Sequence, residues 1–413
     1  MDHKISRRDF VKAGTSTAAL LASAPLVYAG GQEQTISVGL IGCGGRGTGA
    51  AENCLESSQN VRLVAMGDMF KDRLDGSRRQ LSKKDGYKVS DDTVFVGFDA
   101  YKKVLESGVD MVILATPPGF RPIHFAAAIE AGKHVFFEKP VGVDPVGIRK
   151  VIEYGKKAKE KKLAVVTGTQ RRHQKSYNEA MKRIHDGAIG EIVAARCYWN
   201  GDTPWVNPRK EGQTDMEYQL RNWYHFTWLC GDHIVEQHVH NLDVMNWALQ
   251  GHPISAVAVG GKQVRTGPEF GNGWDHFGVD FEYPNDVHVL SMCRHWRGCP
   301  GNVSEALVGT KGKSNASTRI TGPNEWKFEG ADNKPYVQEH TDLIASIRSG
   351  NPLNEAEQVA HSTLTAIMGR EAAYSGQIIK WDQFLSSDLD LSPPKYENGP
   401  LPPPPVWMPG KRG

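Results

Sequence analysis

The sequence predicts an α/β protein in two parts: an N-terminal doubly wound parallel sheet and a C-terminal α+β domain with a large, open, mostly antiparallel sheet. Three observations support this fold class. Apolar runs alternate with helical stretches through the first half, which is typical of βαβ units. A glycine-rich loop, GCGGRG, follows the first of these runs. In the second half, apolar and polar residues alternate, as they do in strands with one buried face.

Residues 1–29 have the layout of a twin-arginine export signal. Arg7 and Arg8 stand in an S-R-R-x-F-x-K frame, and the apolar run at 18–29 is too short to span a bilayer. Small residues at 27–29 suit signal peptidase. We therefore expect the export machinery of the twin-arginine route as a partner and a periplasmic or otherwise exported protein. No later segment is apolar for long enough to cross a membrane, so stable membrane insertion is not expected.

The charge balance argues against nucleic acid as a partner. The formal net charge is +2 at pH 7, and the basic residues of the predicted signal account for it, so the rest of the chain is neutral. The six cysteines include no C-x-x-C pair and no zinc-like spacing. An exported protein permits a bridge between Cys293 and Cys299, although buried free thiols are favoured because a large core needs no disulfide.

The first domain is predicted at residues 35–165. Its strands are continuous apolar runs, of which four stand out: TISVGLIG (35–42), VRLVAMGD (61–68), VDMVILATPP (109–118) and HVFFEKPV (134–141). Helical stretches separate them, including RGTGAAENCLE (46–56), AYKKVLES (100–107) and HFAAAIEAG (124–132). This order predicts a parallel sheet with helices on both faces.

The glycine loop predicts a dinucleotide site of the Rossmann type. Gly42, Gly44 and Gly47 fill G-x-G-x-x-G between a strand and a helix. The first permits a tight turn, the second lets backbone approach a pyrophosphate, and the third lets the helix pack closely. Asp68 ends the second strand, where a carboxylate accepts hydrogen bonds from ribose hydroxyls and repels a 2′-phosphate. NAD is therefore favoured, while the nearby Arg73 leaves NADP open.

Two motifs at strand ends carry a family resemblance. T-P-P (116–118) and E-K-P (138–140) close successive strands, with A-G-K-H-V (131–135) between them. With the glycine loop, they resemble the glucose–fructose oxidoreductase / inositol dehydrogenase (Gfo/Idh/MocA) family over nearly all of the chain beyond the signal. The resemblance implies that Lys139 lies beside the nicotinamide and the reacting hydroxyl, where an ammonium group stabilises a developing alkoxide. The implied cofactor-binding residues are Gly42, Gly44, Gly45, Arg46, Gly47, Asp68, Thr116, Pro117, Pro118, His124, Glu138, Lys139 and Gln170.

A second stretch, GDHIVEQHVHNLDVMNWAL (231–249), is predicted as one helix. Glu236, His240 and Asp243 then fall at i, i+4 and i+7 along one face. The family usually has D-x-x-x-H-x-x-D here, so Glu236 replaces the first aspartate with a longer arm. His240 is predicted as the general base, since an unperturbed histidine pKa suits proton abstraction near neutrality. The catalytic set predicted from sequence is Lys139, His240, Glu236 and Asp243.

The same stretch offers a competing metal-site interpretation. His233, Glu236, His238 and His240 form loose H-x-x-E and H-x-H patterns, but no H-E-x-x-H is present. We therefore predict no metal site.

Substrate contacts are predicted on both sides of the domain junction. Residues 170–173 follow the strand LAVVTGT (163–169), and by resemblance this edge faces cofactor and substrate. Aromatic faces suit the apolar C–H face of a sugar, although most aromatics here are expected to serve the core or an interface. The predicted substrate residues are Arg171, Arg172, Tyr198, Trp223, Tyr224 and His240.

The second domain is predicted at residues 166–380. Alternating runs such as VHVLSMCRHW (287–296) predict its sheet, and helices at 341–350 and 359–376 are expected to return towards the first domain. By resemblance, the open sheet face implies a homo-oligomer. Residues 381–413 are a proline-rich tail that cannot form regular structure and either wraps a neighbouring subunit or is loose.

An export signal joined to a dinucleotide site has a chemical consequence. A periplasm holds little free NAD, so we expect a tightly bound cofactor that is restored in each catalytic cycle. One chemistry oxidises a hydroxyl of a sugar, glycoside or cyclitol and passes the hydride on to an acceptor. Another is an NAD-dependent glycosidase working by oxidation, elimination, hydration and reduction. A third hypothesis, a non-catalytic sugar- or nucleotide-binding protein, is disfavoured by Lys139 and His240.

Overall fold

The computed structural model describes residues 34–410, and the predicted export signal lies outside these residues. From Thr35 onward the chain forms one compact unit. Among the helices of this described part, none is long and apolar enough to cross a membrane.

The first sheet has six parallel strands in the order β3-β2-β1-β4-β5-β6. Its central strands are buried along almost their whole length because helices cover both faces. The predicted doubly wound parallel sheet is therefore confirmed. The strands are β1 (Ile36–Ile41), β2 (Val61–Asp68), β3 (Val94–Val96), β4 (Met111–Leu114), β5 (His134–Phe137) and β6 (Val165–Thr167).

In this half of the chain, helices alternate with the strands and connect each strand to the next. The longest begins where the Asp144 carboxylate accepts a hydrogen bond of 2.7 Å from the Gly147 N–H, which satisfies a free donor of the first turn. The helices are α1 (Gly45–Ser57), α2 (Lys71–Leu81), α3 (Ala100–Leu105), α4 (Arg121–Glu130) and α5 (Pro145–Glu160), with 3₁₀ turns at Asp91–Thr93, Pro118–Phe120 and Gln170–His173.

The second sheet has nine strands in the order β14-β13-β12-β11-β7-β10-β9-β8-β15. Neighbours are antiparallel apart from the β7–β10 pair, which is parallel, so the predicted mostly antiparallel sheet is confirmed. The strands are β7 (Ile192–Gly201), β8 (Ser255–Gly261), β9 (His276–Tyr283), β10 (Val287–His295), β11 (Asn302–Gly309), β12 (Lys313–Ser314), β13 (Arg319–Thr321), β14 (Trp326–Lys327) and β15 (Ile379–Lys380).

One face of this sheet is covered and the other is exposed. Along β10, buried and exposed residues alternate, as expected where helices pack on one face only. On the exposed face, Met292 pairs across strands with Tyr198 and with Gly278, which pairs in turn with Val259. Met292 is 42% exposed and Val259 is 76% exposed. These apolar residues are compatible with the homo-oligomer, which stays a prediction.

The remaining helices lie between and over the two sheets. They are α6 (Lys175–His185), α7 (Asp215–Arg221), α8 (Thr227–Cys230), α9 (His233–Glu236), α10 (Val239–Leu249), α11 (Pro335–Arg348), α12 (Ala356–Ser375) and α13 (Trp381–Leu385), with 3₁₀ turns at Trp223–His225, Pro268–Phe270 and Pro284–Asp286. As predicted, the last long helices return to the first sheet: α11 packs on α1 and α12 on α5. Leu343 and Ile344 of α11 lie in the core of the first sheet.

Two predictions outside the site need correction. All six cysteines lie in the described part and are free thiols, so Cys293 and Cys299 are not bridged, and Cys299 is exposed rather than buried. The tail, predicted irregular from residue 381, begins with the short helix α13. Residues 386–410 have no further helix or strand, and they are not loose, because Leu391, Tyr396 and Leu401 contact other parts of the same chain. The predicted contact of the tail with a neighbouring subunit stays a prediction.

Candidate active site

The glycine loop between β1 and α1 is shaped by two steric limits. Gly42 has φ of +97°, and a Cβ there would lie 2.6 Å from the backbone of Ala115. A Cβ on Gly47 would lie 1.8 Å from the Gly42 carbonyl oxygen, so α1 could not pack against the turn. At Gly44 and Gly45 a Cβ would meet nothing within 4 Å. The loop therefore leaves open space at the start of a 13-residue helix, whose free N–H groups favour an anion.

A cleft of about 600 Å³ opens over this loop, within the range of ligand pockets. The loops after β1, β2, β3 and β4 form one wall, and residues from the second half of the chain form the other. The predicted cofactor residues that line the cleft are Gly42, Gly44, Gly45, Arg46, Gly47, Asp68, Thr116, Pro117 and His124. Those that do not line it are Pro118, Glu138, Lys139 and Gln170.

Asp68 lies at the cleft with its carboxylate fixed by backbone. One oxygen accepts from the Cys43 N–H at 2.6 Å and the other from the Phe70 N–H at 2.8 Å. Burial raises the pKa of Asp68, and these two hydrogen bonds and the charge of Arg73 oppose that rise. Each oxygen keeps a second lone pair, so acceptors remain for the ribose hydroxyls of the predicted cofactor.

Arg46 is held by carboxylates from distant parts of the chain. Its Nε pairs with Glu138, and its Nη2 lies 3.4 Å from Glu339 of α11. Its guanidinium group also stacks over the Tyr336 ring at 4.8 Å. Glu138, predicted to bind the cofactor, is buried and contacts Arg46, so the geometry favours a positioning role. Sequence analysis did not single out Glu339, and no local motif marks it.

The predicted nicotinamide end of the cleft has neutral polar groups. Thr116 Oγ1 lies 3.1 Å from His124 Nδ1. Burial, aided by the charge of Arg121, lowers the pKa of His124 to about 3, so the imidazole is neutral. Gln170 has a buried Oε1 with no hydrogen-bond partner. Pro118 is buried at the start of a 3₁₀ turn.

Lys139 meets Glu236 beyond the end of β5. Its Nζ donates to the Glu236 backbone oxygen at 2.6 Å and lies 3.4 Å from Glu236 Oε1. The Lys139–Pro140 peptide bond is cis. Both side chains of the ion pair are at most 10% exposed. Glu236 Oε2 is buried without a partner, so the carboxylate retains an acceptor for a hydroxyl group.

The helix predicted at 231–249 is interrupted, and that prediction was wrong. It is divided into α9 and α10, which are separated at residues 237–238. In a continuous helix the Glu236 carbonyl would accept from the His240 N–H. Instead the Glu236 carbonyl accepts a hydrogen bond from the Lys139 ammonium group, and the His240 N–H donates to the Gln237 carbonyl at 3.3 Å. Glu236, His240 and Asp243 therefore do not share one helix face.

His240 packs on an aromatic ring of the second sheet. Its imidazole stacks with Trp199 at 5.8 Å between ring centroids. Burial lowers the pKa of His240 well below its ordinary value, and the charges of Lys139, Arg171 and Arg46 lower it further. The prediction assumed an unperturbed pKa, whereas burial and these charges keep the imidazole neutral near pH 7 and weaken it as a base.

Arg172 and Asp243 pair with each other. Arg172 Nε and Nη2 donate to the two Asp243 oxygens at 2.8 and 2.9 Å, and Ser362 Oγ donates to Asp243 at 2.7 Å. The guanidinium group also lies over Trp247 at 4.9 Å. This pair links the turn after β6 to α10. The structure therefore supports a positioning role for both residues and gives no support to Asp243 as a catalytic group or Arg172 as a substrate contact.

Arg171 lies at a buried carboxylate close to His240. It pairs with Glu305, which also accepts from Tyr177 Oη at 3.2 Å and Asn241 Nδ2 at 2.6 Å. Arg171 contributes a positive charge that lowers the pKa of His240. Its predicted contact with substrate stays a prediction.

Tyr198 needs a correction because side chains alternate along a strand. Trp199, its neighbour on β7, stacks on His240, so Tyr198 lies on the opposite, exposed face beside Met292. The geometry therefore gives no support to the predicted substrate contact of Tyr198, and it places Trp199 rather than Tyr198 beside His240.

Trp223 and Tyr224 line the cleft, and their predicted contact with substrate stays a prediction. Gln237 Nε2 donates to Tyr224 Oη. Burial and the negative charge of Glu236 raise the pKa of Tyr224 well above its ordinary value, so the phenol stays protonated. Tyr224 thus joins the cleft to the Lys139–Glu236 pair.

The histidines considered for a metal have other partners. His233 Nε2 lies 3.2 Å from the Trp199 carbonyl oxygen, and His238 Nε2 lies 2.7 Å from Ser291 Oγ. Within residues 34–410, no three His, Cys, Asp or Glu side chains converge as ligands for a metal ion.

Comparison with known proteins agrees with this architecture. Residues 36–168 match the oxidoreductase family with an NAD-binding Rossmann fold, and residues 177–314 match the GFO/IDH/MocA C-terminal domain. Inositol 2-dehydrogenase 3 of Saccharopolyspora erythraea is 26% identical over 364 residues, covering 84% of this chain and 95% of that protein. The 2,7-anhydro-N-acetylneuraminate hydratase of Escherichia coli K12 is 28% identical over 177 residues, 43% of each chain.

A solved structure shows the same fold. The scyllo-inositol dehydrogenase of Lactobacillus casei, with bound NAD(H) and scyllo-inositol, superposes with a TM-score of 0.65 at 19% identity. The match covers 86% of this chain and 100% of that chain. At this identity the likeness concerns the fold alone.

Proposed function

This chain belongs to the Gfo/Idh/MocA oxidoreductase family, and on that premise we propose that it oxidises a hydroxyl group of a sugar, glycoside or cyclitol with tightly bound NAD. The position of Lys139 carries the proposal. Its ammonium group contacts Glu236, and its charge acts on His240. Tyr224 connects this cluster to the cleft. A substrate hydroxyl between these groups meets a cation, a carboxylate and a neutral imidazole.

The residues of the cleft fit NAD. Gly44 and Gly45 leave space at the N-terminus of α1 for the pyrophosphate. Asp68 has acceptors for the ribose hydroxyls, and the unpartnered Gln170 Oε1 can accept from an amide. When bound, NAD accepts a hydride from the substrate carbon.

The chain's own residues supply the proton chemistry. His240 is neutral near pH 7 because its pKa is lowered, and in this scheme its imidazole receives the hydroxyl proton. Lys139 stabilises the developing alkoxide with its ammonium group. Glu236 holds that ammonium in place and offers Oε2 to a neighbouring hydroxyl. In this scheme the proton leaves the substrate oxygen before or while the carbon loses its hydride.

An NAD-dependent glycosidase is the second candidate. Elimination and water addition need an acid–base group beyond those used for oxidation, and the free oxygen of Glu236 supplies one. One relative is named a hydratase, a reaction type without net oxidation, and this name supports the second candidate. In this second cycle the hydride returns to the substrate, and the bound cofactor is restored without an acceptor.

Purified protein prepared without added nucleotide is expected to carry NAD. Denaturation followed by chromatography should release close to one NAD(H) per chain, because residues from both halves of the chain line the cleft and would retain a bound cofactor. The preparation is then offered glycosides. Aglycone release without an acceptor supports the glycosidase, and keto-sugar limited by bound NAD supports the dehydrogenase. A protein that neither carries nor binds NAD would contradict both.

Export through the twin-arginine route is part of the proposal. Changing Arg7 and Arg8 to lysine should retain the protein in the cytoplasm, because the route depends on the arginine pair. Cell fractionation and immunoblotting measure the distribution, and changing Lys4 to arginine is the control, since Lys4 is a basic residue outside the S-R-R-x-F-x-K frame. Periplasmic protein at the unchanged level in the Arg7/Arg8 variant would contradict the export proposal.

A further inference from the structure

The outer wall of the cofactor cleft is formed by a segment that no motif marked. Residues 205–224, here called the lid, include α7 and the 3₁₀ turn that follows it. The lid residues that line the cleft are Trp205, Asn207, Leu220, Arg221, Trp223 and Tyr224. The lid faces the glycine loop across the cleft, so a dinucleotide bound on the loop lies beneath it.

A salt bridge closes the lid onto the nucleotide-binding sheet. Arg221 donates through Nη1 and Nη2 to the two Asp72 oxygens at 3.1 and 3.2 Å. Its guanidinium group lies 3.9 Å from the centre of the Phe70 ring. Hydrogen bonds from Arg221 lower the pKa of Asp72. Asp72 does not line the cleft, so it acts on the lid through Arg221.

The C-terminal tail forms hydrogen bonds with the lid helix α7. Residues 390–401, here called the strap, run along α7. The Leu401 N–H donates to Asp215 at 3.1 Å, and the Met216 N–H donates to the Gly399 carbonyl at 3.2 Å. Gln219 Nε2 donates to the Leu401 carbonyl. Backbone contacts with the strap therefore hold α7 at its first turns.

The strap is itself fastened to the first half of the chain. The Leu391 N–H donates at 2.9 Å to Asp144, the residue that caps α5. Tyr396 packs on Phe120 at 5.4 Å between ring centroids, and Phe120 lines the cleft. The lid therefore has two connections to the nucleotide-binding half. Arg221 contacts Asp72 directly, and the strap connects α7 to Asp144 and Phe120.

We propose that the Asp72–Arg221 salt bridge and the strap together form a clasp that sets how long NAD stays bound. The inference rests on the proposed function, because it takes NAD as the ligand of the cleft. For NAD to leave, the lid has to move away from the glycine loop, which breaks the salt bridge or detaches the strap from α7. The clasp therefore slows dissociation, and this retention suits an exported enzyme that recycles its cofactor.

The salt bridge is tested by exchanging one aspartate on α2. In Asp72→Asn the dissociation rate of bound NADH, followed by fluorescence after mixing with excess NAD, should rise about three- to fivefold, the range of an exposed ion pair. Asp75→Asn is the matched control, since Asp75 lies on the same helix and forms an ion pair with Lys71 at 2.7 Å, away from Arg221. High salt should accelerate release from the wild type and change Asp72→Asn less.

The strap is tested by removing its contacts in the full-length chain. The double variant Tyr396→Ala/Leu401→Ala should release NADH at least about tenfold faster, because Tyr396 loses its packing on Phe120 and Leu401 loses its packing on the apolar cluster that contains Met216 and Leu220 of α7. Asn398→Ala is the control, since Asn398 is an exposed strap residue. A chain ending at residue 389 should release NADH faster still. Circular dichroism checks that each variant is folded. If the shortened chain does not fold, the NADH release rates of the point variants decide the test.

The outcomes separate the clasp from the proposed function. NADH release at the wild-type rate in both Asp72→Asn and the double strap variant would overturn the clasp while leaving NAD as the cofactor. A wild-type protein that binds no NAD would overturn the proposed function itself. A strap that only stabilises the fold would lower the melting temperature in the double variant and leave the NADH dissociation rate unchanged, which also contradicts the clasp.

Discussion

Replacing Lys139 with methionine is expected to lower kcat/KM by about a thousandfold, the upper part of the range for loss of one donor that stabilises a developing oxyanion. Methionine keeps the length and apolar stem of lysine but has no charge. The effect should fall on kcat, because the ammonium group stabilises charge that develops only during the reaction. NAD content should stay near that of the wild type, since Lys139 does not line the cleft.

Lys150→Met is the control for this substitution. Lys150 lies on α5 with an exposed side chain, so the same chemical change there should leave kcat/KM unaltered. Circular dichroism and NAD content establish that both variants are folded and loaded. Activity of Lys139→Met within tenfold of the wild type would contradict the proposed role of the ammonium group.

The fold was predictable because each sheet leaves a local mark on the sequence. The first sheet is buried on both faces, so its strands are continuous apolar runs such as 109–118. The second sheet is buried on one face, so its strands alternate, as at 287–296. The glycine loop was also predictable, since Gly42 and Gly47 satisfy steric limits between elements that are adjacent in the chain.

The active site was less predictable because its contacts join distant residues. Lys139 and Glu236 are 97 positions apart, and their hydrogen bond interrupts a stretch whose own pattern is helical. Arg46 and Glu339 are 293 positions apart, and no motif connects them. Such pairings depend on tertiary structure, which overrides local propensity.

Register caused the remaining errors. The choice between Tyr198 and Trp199 depends on which face of β7 is covered, and one residue reverses the answer. Asp243 was placed on a common face with His240 by assuming an unbroken helix. The interruption at 237–238 and the Arg172 pair assign it instead to the support of α10.

Replacing His240 with asparagine is the second change expected to have a large effect, lowering kcat/KM by about a hundred- to ten-thousandfold, the range for loss of a general base. Asparagine preserves polarity and approximate size but does not take up a proton near neutrality. NAD content should be unchanged, because His240 lies outside the cleft. His288→Asn is the control, since His288 lies on the exposed face of β10 and should be replaceable without loss.

The pH profile separates a general base from a residue that only shapes the site. Because the pKa of His240 is lowered well below 6.5, wild-type kcat/KM should show no histidine limb near pH 6.5 and should fall only at lower pH. The charge of Lys139 is one cause of that lowering, so the pKa of His240 should be higher in Lys139→Met. The acidic limb of the weak residual kcat/KM of this variant should therefore lie at higher pH than that of the wild type. A wild-type limb centred near 6.5 that persists in His240→Asn would assign the base to another group. An acidic limb that disappears in His240→Asn and moves upward in Lys139→Met would connect both residues to the same proton transfer.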